Sequence, residues 1–215
     1  MNGAHRRLEL SPGRVPRWWQ RFHDDHPNVT TSTHQGEVVL TSTNGSTARF
    51  VGWYPVGDDG DPLSSLLTRP THVGALLIRR GGYSLGYFAS FNDPDGGPIT
   101  DHTTGRRYVQ GRTAAGGWSQ QRFARRRTNQ AEALVKHVAE EGARIIKPVL
   151  THPDHAGLVV GGDEALVRDL LSTSLLAPLT SLVRREFFDI PSPKFAVLQQ
   201  IHSRAQTVRV SVHNP

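Results

Sequence analysis

The run Val73-Gly74-Ala75-Leu76-Leu77-Ile78 constrains this chain more than any other stretch. Six successive residues without a polar side chain leave no face for water. A strand made of them must be covered on both sides, as a central sheet strand is. The segments His72 to Arg79 and Tyr83 to Phe91 flank Gly81-Gly82, which predicts a hairpin. Residues 92–98 read as a loop, and a further strand is expected within Gly105 to Arg112. A long helix is predicted from about Gln120 to Ile146. Ala131, Leu134, Val135, Val138 and Gly142 form its small-apolar stripe, and Ser119 is suited to cap its start. Leu158-Val159-Val160 reads as a buried strand ending at Gly161-Gly162, followed by a helix over Asp163 to Leu171. Leu182 to Ile190 is expected as a strand and Ser192 to Ser203 as a helix. Thr207 to His213 alternates Val208, Val210 and Val212 with polar residues, as a half-exposed strand does. The order from residue 72 is β-β-β-α-β-α-β-α-β, which predicts an α/β fold: a mixed β-sheet with helices packed on it.

The first 70 residues have a different texture. Val15, Trp18, Trp19 and Phe22 fall at i, i+3, i+4 and i+7, one apolar face of a short helix, with Pro16 in its first turn. The two tryptophans are expected to pack within the chain. Glu37 to Thr41 and Thr47 to Tyr54 surround Asn44-Gly45, a second hairpin signal. Residues 55–70, rich in Gly, Pro, Asp and Ser, read as a linker or long loop. The expected division is therefore an N-terminal extension over 1–70, a helix plus a β-hairpin packed on the main domain, and a main domain over 71–215.

Composition removes several classes of function. With no cysteine there is no disulfide, Cys-type zinc site or thiol nucleophile. No signal peptide is visible at Met1 to Leu10, and no stretch approaches the ~20 apolar residues that span a bilayer. A soluble cytoplasmic protein is expected, and the sequons at Asn28 and Asn44 are then chance matches. The formal charge is +6, from 25 Lys and Arg against 19 Asp and Glu, which favours a polyanionic partner.

The distribution of that charge is sharper than its sum. Between Asp101 and Glu132 there is no acidic residue, and Arg106, Arg107, Arg112, Arg122, Arg125, Arg126 and Arg127 all lie in that window. Arg122, Arg125 and Arg126 stand at i, i+3 and i+4 and share a helix face. Guanidinium groups bind phosphate bidentately, so these seven arginines are candidate phosphate contacts, with a solvated arginine face as the alternative. Inside the window, Ala114-Ala115-Gly116-Gly117 is a stretch of small residues whose glycines permit close approach to another backbone. Trp118, Ser119, Gln120 and Gln121 follow directly.

The run Gly-Gly-x-Ser-x-x-Arg-Phe-Ala-Arg, here Gly116 to Arg125, closely resembles the central domain of the eukaryotic and archaeal class-one translation release factors, where a Gly-Gly-Gln loop leads into such a helix. Leu158-Val159-Val160-Gly161-Gly162 and Phe188-Asp189-Ile190 resemble that domain's later strands, so residues 71–215 are covered and the first 70 are not. The chain more closely resembles the Vms-like release factor family, in its actinobacterial peptidyl-tRNA hydrolase branch, where the glutamine is displaced along the loop. Here Trp118 stands where the release factors have their glutamine, and Gln120 and Gln121 come shortly after. The resemblance implies a ribonuclease-H-like release-factor central domain. It also implies a metal-independent peptidyl-tRNA hydrolase that needs no cofactor and acts on stalled ribosomes or large subunits. Gly116, Gly117 and either Gln120 or Gln121 would be its working residues, with Gln120 favoured as nearer the loop tip. The partners it implies are the large subunit at its peptidyl transferase centre and peptidyl-tRNA, with neither membrane nor DNA.

Other sites are weaker. His152-Pro153-Asp154-His155 lacks a third ligand nearby, and His23 and His26 only flank acids at a helix end. Asp58, Asp59 and Asp61 lack the rest of a calcium loop. A nuclease needs strand carboxylates to hold magnesium, and the strands at 73–79, 105–112 and 157–162 offer none. Ser119 lacks the Gly-x-Ser-x-Gly context of a serine hydrolase. The alternative that stands is a ribosome-binding rescue factor without catalysis, kept open by Trp118 in the glutamine's place.

Overall fold

The computed structural model describes residues 4–93, 97–106 and 118–215. They form two compact units, the first of residues 1–70 with 203–215 and the second of residues 71–202.

The second unit grows from β5 (His72–Arg79), whose residues from Val73 to Ile78 are all buried. On one edge it pairs antiparallel with β6 (Gly82–Phe88), which pairs antiparallel with β7 (Asp101–Gly105). On the other edge it pairs parallel with β8 (Ala156–Gly162), which pairs parallel with β9 (Val183–Phe187). The sheet order β7-β6-β5-β8-β9 puts the most apolar strand in the middle, as its composition demanded. Arg79 pairs with Gly82, so Arg80 and Gly81 make the turn. β7 lies earlier than the expected 105–112, and residues 107–112 fall outside the described ones.

One face of this sheet is covered by α3 (Trp118–Ile145) and α4 (Glu164–Leu171). Leu76, Ile78, Leu85, Leu158 and Val160 of the strands bury against Leu134, Val138 and Ile145 of α3 and Leu166 and Leu170 of α4. The opposite face carries α5 (Phe195–Ala205), whose Leu198 lies where a side chain at Gly86 would point. Gly74 meets Ile146, just past the end of α3, so closely that no Cβ fits. Asp163 caps α4 by accepting from the Ala165 and Leu166 amides. It follows Gly162, whose φ of +108° and contact with the Ile78 carbonyl exclude a side chain.

The first unit is an antiparallel sheet of order β1-β10-β4-β3-β2. Its members are β1 (Ala4–Leu10), β2 (Thr30–His34), β3 (Glu37–Thr41), β4 (Thr47–Val51) and β10 (Val208–Asn214). The expected hairpin is β3 and β4, with Gly45 at φ +88° and Asn44 Oδ1 accepting from the Ser46 amide at 2.9 Å. β1 and β2 were not foreseen. The first is charged and the second polar and exposed, and both are edge strands, where burial leaves little pattern. Helix α1 (Val15–Asp25) buries Val15 and Phe22, while Trp18 and Trp19 pack on Phe50 at centroid distances of 5.5 and 5.3 Å. The expected loop at 55–70 contains the short helix α2 (Pro62–Leu67), started by Asp61, whose carboxylate accepts from the Leu63 and Ser64 amides. The last strand, expected to join the sheet of residues 72 onward, instead pairs with β1 and β4. Its alternating pattern matches a sheet that buries one face, whereas the other sheet is covered on both.

Gly74→Ala should overpack the β5–Ile146 contact and destabilise the protein by about 1–3 kcal/mol. In urea unfolding, Gly74→Ala combined with Ile146→Ala should be more stable than the two single losses predict. Strict additivity would mean that the two residues do not meet.

Candidate functional site

The segment singled out by charge runs from the end of β7 into α3. Gly116, Gly117, Arg107 and Arg112, with the small-residue stretch at 114–117, lie outside the described residues. Both flanks are described.

The entering flank is β7, a polar edge strand held to β6 by its ladder and by Ser84 Oγ to Thr104 Oγ1 at 2.9 Å. It ends at Gly105, where a Cβ would stand 2.5 Å from the ring of Tyr83. Arg106 follows and is exposed. The leaving flank is α3. Its backbone is helical from Trp118, so Ser119 lies inside the helix and is not its cap. Gln120, Gln121, Arg122, Arg125, Arg126 and Arg127 are all on the first turns of α3, and Arg125 is exposed.

Tyr83 touches both flanks. Its ring closes over Gly105, and its hydroxyl lies 2.9 Å from His137 Nε2 of α3, with the rings edge-to-face at 5.5 Å. Tyr83 is only 5% exposed and His137 is half-buried, so the bond is part-buried. No sequence spacing points to it, because the partners are 54 residues apart.

Burial along α3 is uneven. Thr128 and Asn129 are exposed, Ala131 is half-buried, and Leu134 is the first described α3 side chain that is fully buried. At 1.5 Å per residue, Trp118 is roughly 20 Å along the axis from Ala131. The arginine-bearing turns lie N-terminal to Leu134 on the same helix. Between α3 and α4 lies a cavity of about 590 Å³ lined by Arg80, Thr128, Glu132, Asp163 and Asp169 among others. It carries both signs of charge, and Asp163 is already engaged in capping α4 and in an ion pair with Arg80 at 3.6 Å.

The rival residues fall elsewhere. His152 stacks on His72 at 3.9 Å, and His72 Nδ1 lies 2.9 Å from the Tyr87 hydroxyl. This cluster sits at the start of β5, the opposite end from Ile78, whose partner Tyr83 pairs with Gly105. His72 and Tyr87 are members that sequence reading missed. His23 and His26 make ring contacts with Trp19 and Phe22. Asp61 serves as a helix cap, and its pKa is lowered first by the Ser64 hydroxyl. Among the described residues no three His, Asp or Glu side chains gather as a metal site. Nor is any helix there long and apolar enough to cross a membrane.

Tyr83→Phe should cost about 0.5–1.5 kcal/mol in urea unfolding through loss of the His137 bond, with little further loss in a Tyr83→Phe/His137→Phe pair. The pKa of His72 is lowered from its ordinary 6.5, first by burial and then by His152 and His155, and burial lowers that of His202 likewise. The folded protein then binds fewer protons than the unfolded chain as these groups titrate. Stability is full above about pH 6.5 and is lost as pH falls through the depressed values. The urea midpoint should fall between about pH 7 and pH 5, and His72→Gln should flatten that fall.

A family profile described as Actinobacteria/chloroflexi VLRF1 release factor matches residues 71–211. Among solved structures, a chain described as an archaeal protein is similar at 12% identity and a TM-score of 0.39, over 77% of this chain and 51% of its own. The archaeal translation termination factor aRF1 is similar at 12% identity and a TM-score of 0.38, over 93% of this chain and 66% of its own. This chain thus spans between half and two thirds of the length of these structures. No curated protein matches it.

Proposed function

Because this chain belongs to the Actinobacteria/chloroflexi VLRF1 release-factor family, we propose that it is a peptidyl-tRNA hydrolase that frees nascent chains from stalled ribosomes or large subunits. The observation that carries this reading is the continuity of one segment. A Gly116-Gly117 loop with glutamines three and four residues beyond Gly117 runs directly into an arginine-rich helix, within thirty residues that hold no acid. That segment falls inside the matched region.

In the proposed reaction, water attacks the carbonyl carbon of the ester joining the peptide to the terminal ribose. The acyl–oxygen bond breaks, and the ribose oxygen leaves with a proton. A glutamine amide does not titrate near neutral pH, so it is no general base. Its amide group orients the water and donates to the developing oxyanion, together with loop N–H groups. Positioning supplies most of the gain, since a water held ~3 Å from the carbonyl reacts as if intramolecular. Ribosomal RNA would complete the geometry, so activity on small free esters should be weak. Arg106, Arg107, Arg112, Arg122, Arg125, Arg126 and Arg127 would grip RNA phosphates at the cytoplasmic ribosome. The burial of Leu134, Val138 and Ile145 further along α3 supports this, because an anchored helix can carry the loop into a narrow space.

Gln120 and Gln121 both stand in the first turn of α3, and one of them is the working glutamine in this reading. A second reading, a rescue factor that binds without hydrolysis, is favoured by Trp118 standing at the usual glutamine position.

Release of nascent chains from stalled large-subunit complexes tests both. Wild type should release without added metal. One of Gln120→Ala and Gln121→Ala should lose at least tenfold in release rate, about 1.4 kcal/mol of barrier, while still binding. Tight binding without release by wild type would leave the silent binder.

A further inference from the structure

The first unit lies almost wholly outside the matched region, and its helix α1 carries a feature that the proposed reaction does not use. Arg14, Arg17, Trp18 and Arg21 stand at i, i+3, i+4 and i+7 and so share one helix face. With Leu10 and Gly13 they line a groove of about 470 Å³ that no acidic residue borders. All three arginines are exposed. Arg21 is paired with Asp25 at 3.2 Å. The guanidinium groups of Arg14 and Arg17 have no hydrogen-bond or ion-pair partner among the described residues, while the Arg14 backbone N–H donates to the Ser11 carbonyl. Two like charges a turn apart weaken a helix that has nothing to neutralise them. Trp18 is half-buried, stacked on Phe22 at 5.7 Å and edge-on to Phe50, so it forms a fixed apolar floor between the guanidiniums.

We propose that this face of α1 is a second RNA-binding surface, in which Arg14 and Arg17 clamp phosphates of an RNA strand lying along the helix over Trp18. Three observations single out RNA. The Arg14 to Arg21 row is roughly 10 Å long, over which a nucleic-acid strand carries several charges, at one per ~3.4 Å per strand of duplex. Guanidinium forks match phosphate geometry. An anionic membrane would call for apolar side chains standing out beside the arginines. Among the described residues the exposed large hydrophobics are Leu175 and Phe195, both elsewhere. The surface does not depend on hydrolysis and would serve a catalytic or a silent protein alike.

The test is binding of the full chain to purified large ribosomal subunits across a salt series. The variants are Arg14→Ala/Arg17→Ala and Asp25→Asn, with thermal midpoints as the folding control. The double variant should bind about tenfold more weakly near physiological salt. Its log K against log salt slope should be shallower by about 1.4–1.8, from ~0.7–0.9 per lost phosphate contact. Asp25→Asn, which frees Arg21, should bind more tightly with a steeper slope. Photo-crosslinking from α1 should reach ribosomal RNA. An unchanged slope in the double variant overturns the proposal, as do crosslinks to ribosomal protein alone. So does loss of binding to phosphatidylserine vesicles while binding to subunits persists.

Discussion

Strand β5 has no side that tolerates water, and the rest of its unit is arranged around that fact. Each of its edges needs a strand and each of its faces a helix layer, because unpaired amides and bare apolar side chains are both costly inside a protein. β6 and β8 take the edges. α3 and α4 cover one face and α5 the other. Glycines set how close the helices come: Gly74 admits Ile146 after α3, and Gly86 admits Leu198 of α5. The second half of α3 is seated by Leu134, Val138 and Ile145, and its arginine-rich beginning is continuous with that anchored part.

That seating matters because the proposed chemistry has no strong acid or base in it. A site that works by placing a neutral amide and a water depends on how firmly its supports are held. Tyr83 is such a support. It packs on the last residue of the strand leading into the segment and hydrogen-bonds the helix leading out of it. It is itself buried in the core that β5 organises. His72, stacked on His152 at the other end of β5, lies away from this segment, and burial makes it resist protonation.

The first unit follows a different rule. Its inner strands β3, β4 and β10 alternate buried with more exposed residues, so one sheet face is apolar, and α1 is among the elements packed against it, through Val15, Phe22 and the two tryptophans. The positions facing away are then left to charge, and the guanidinium groups of Arg14, just before the helix, and Arg17, within it, have no partner among the described residues.

The sequence by itself determined the elements whose residues carry a one-dimensional pattern. The apolar run of β5, the Asn44-Gly45 hairpin, the stripe on α3 and the alternation of β10 are each dictated by burial acting on neighbours along the chain. The candidate segment was legible for the same reason, since the absence of acid between Asp101 and Glu132 is a property of sequence alone. What only the tertiary structure decided has no local signature. Edge strands β1 and β2 are charged or polar because little of them is buried. The Tyr83–His137 bond joins residues 54 apart, and β10 pairs with β1 from the far end of the chain. Such pairings depend on which surfaces remain uncovered after the local elements form, and that is settled only when the whole chain packs.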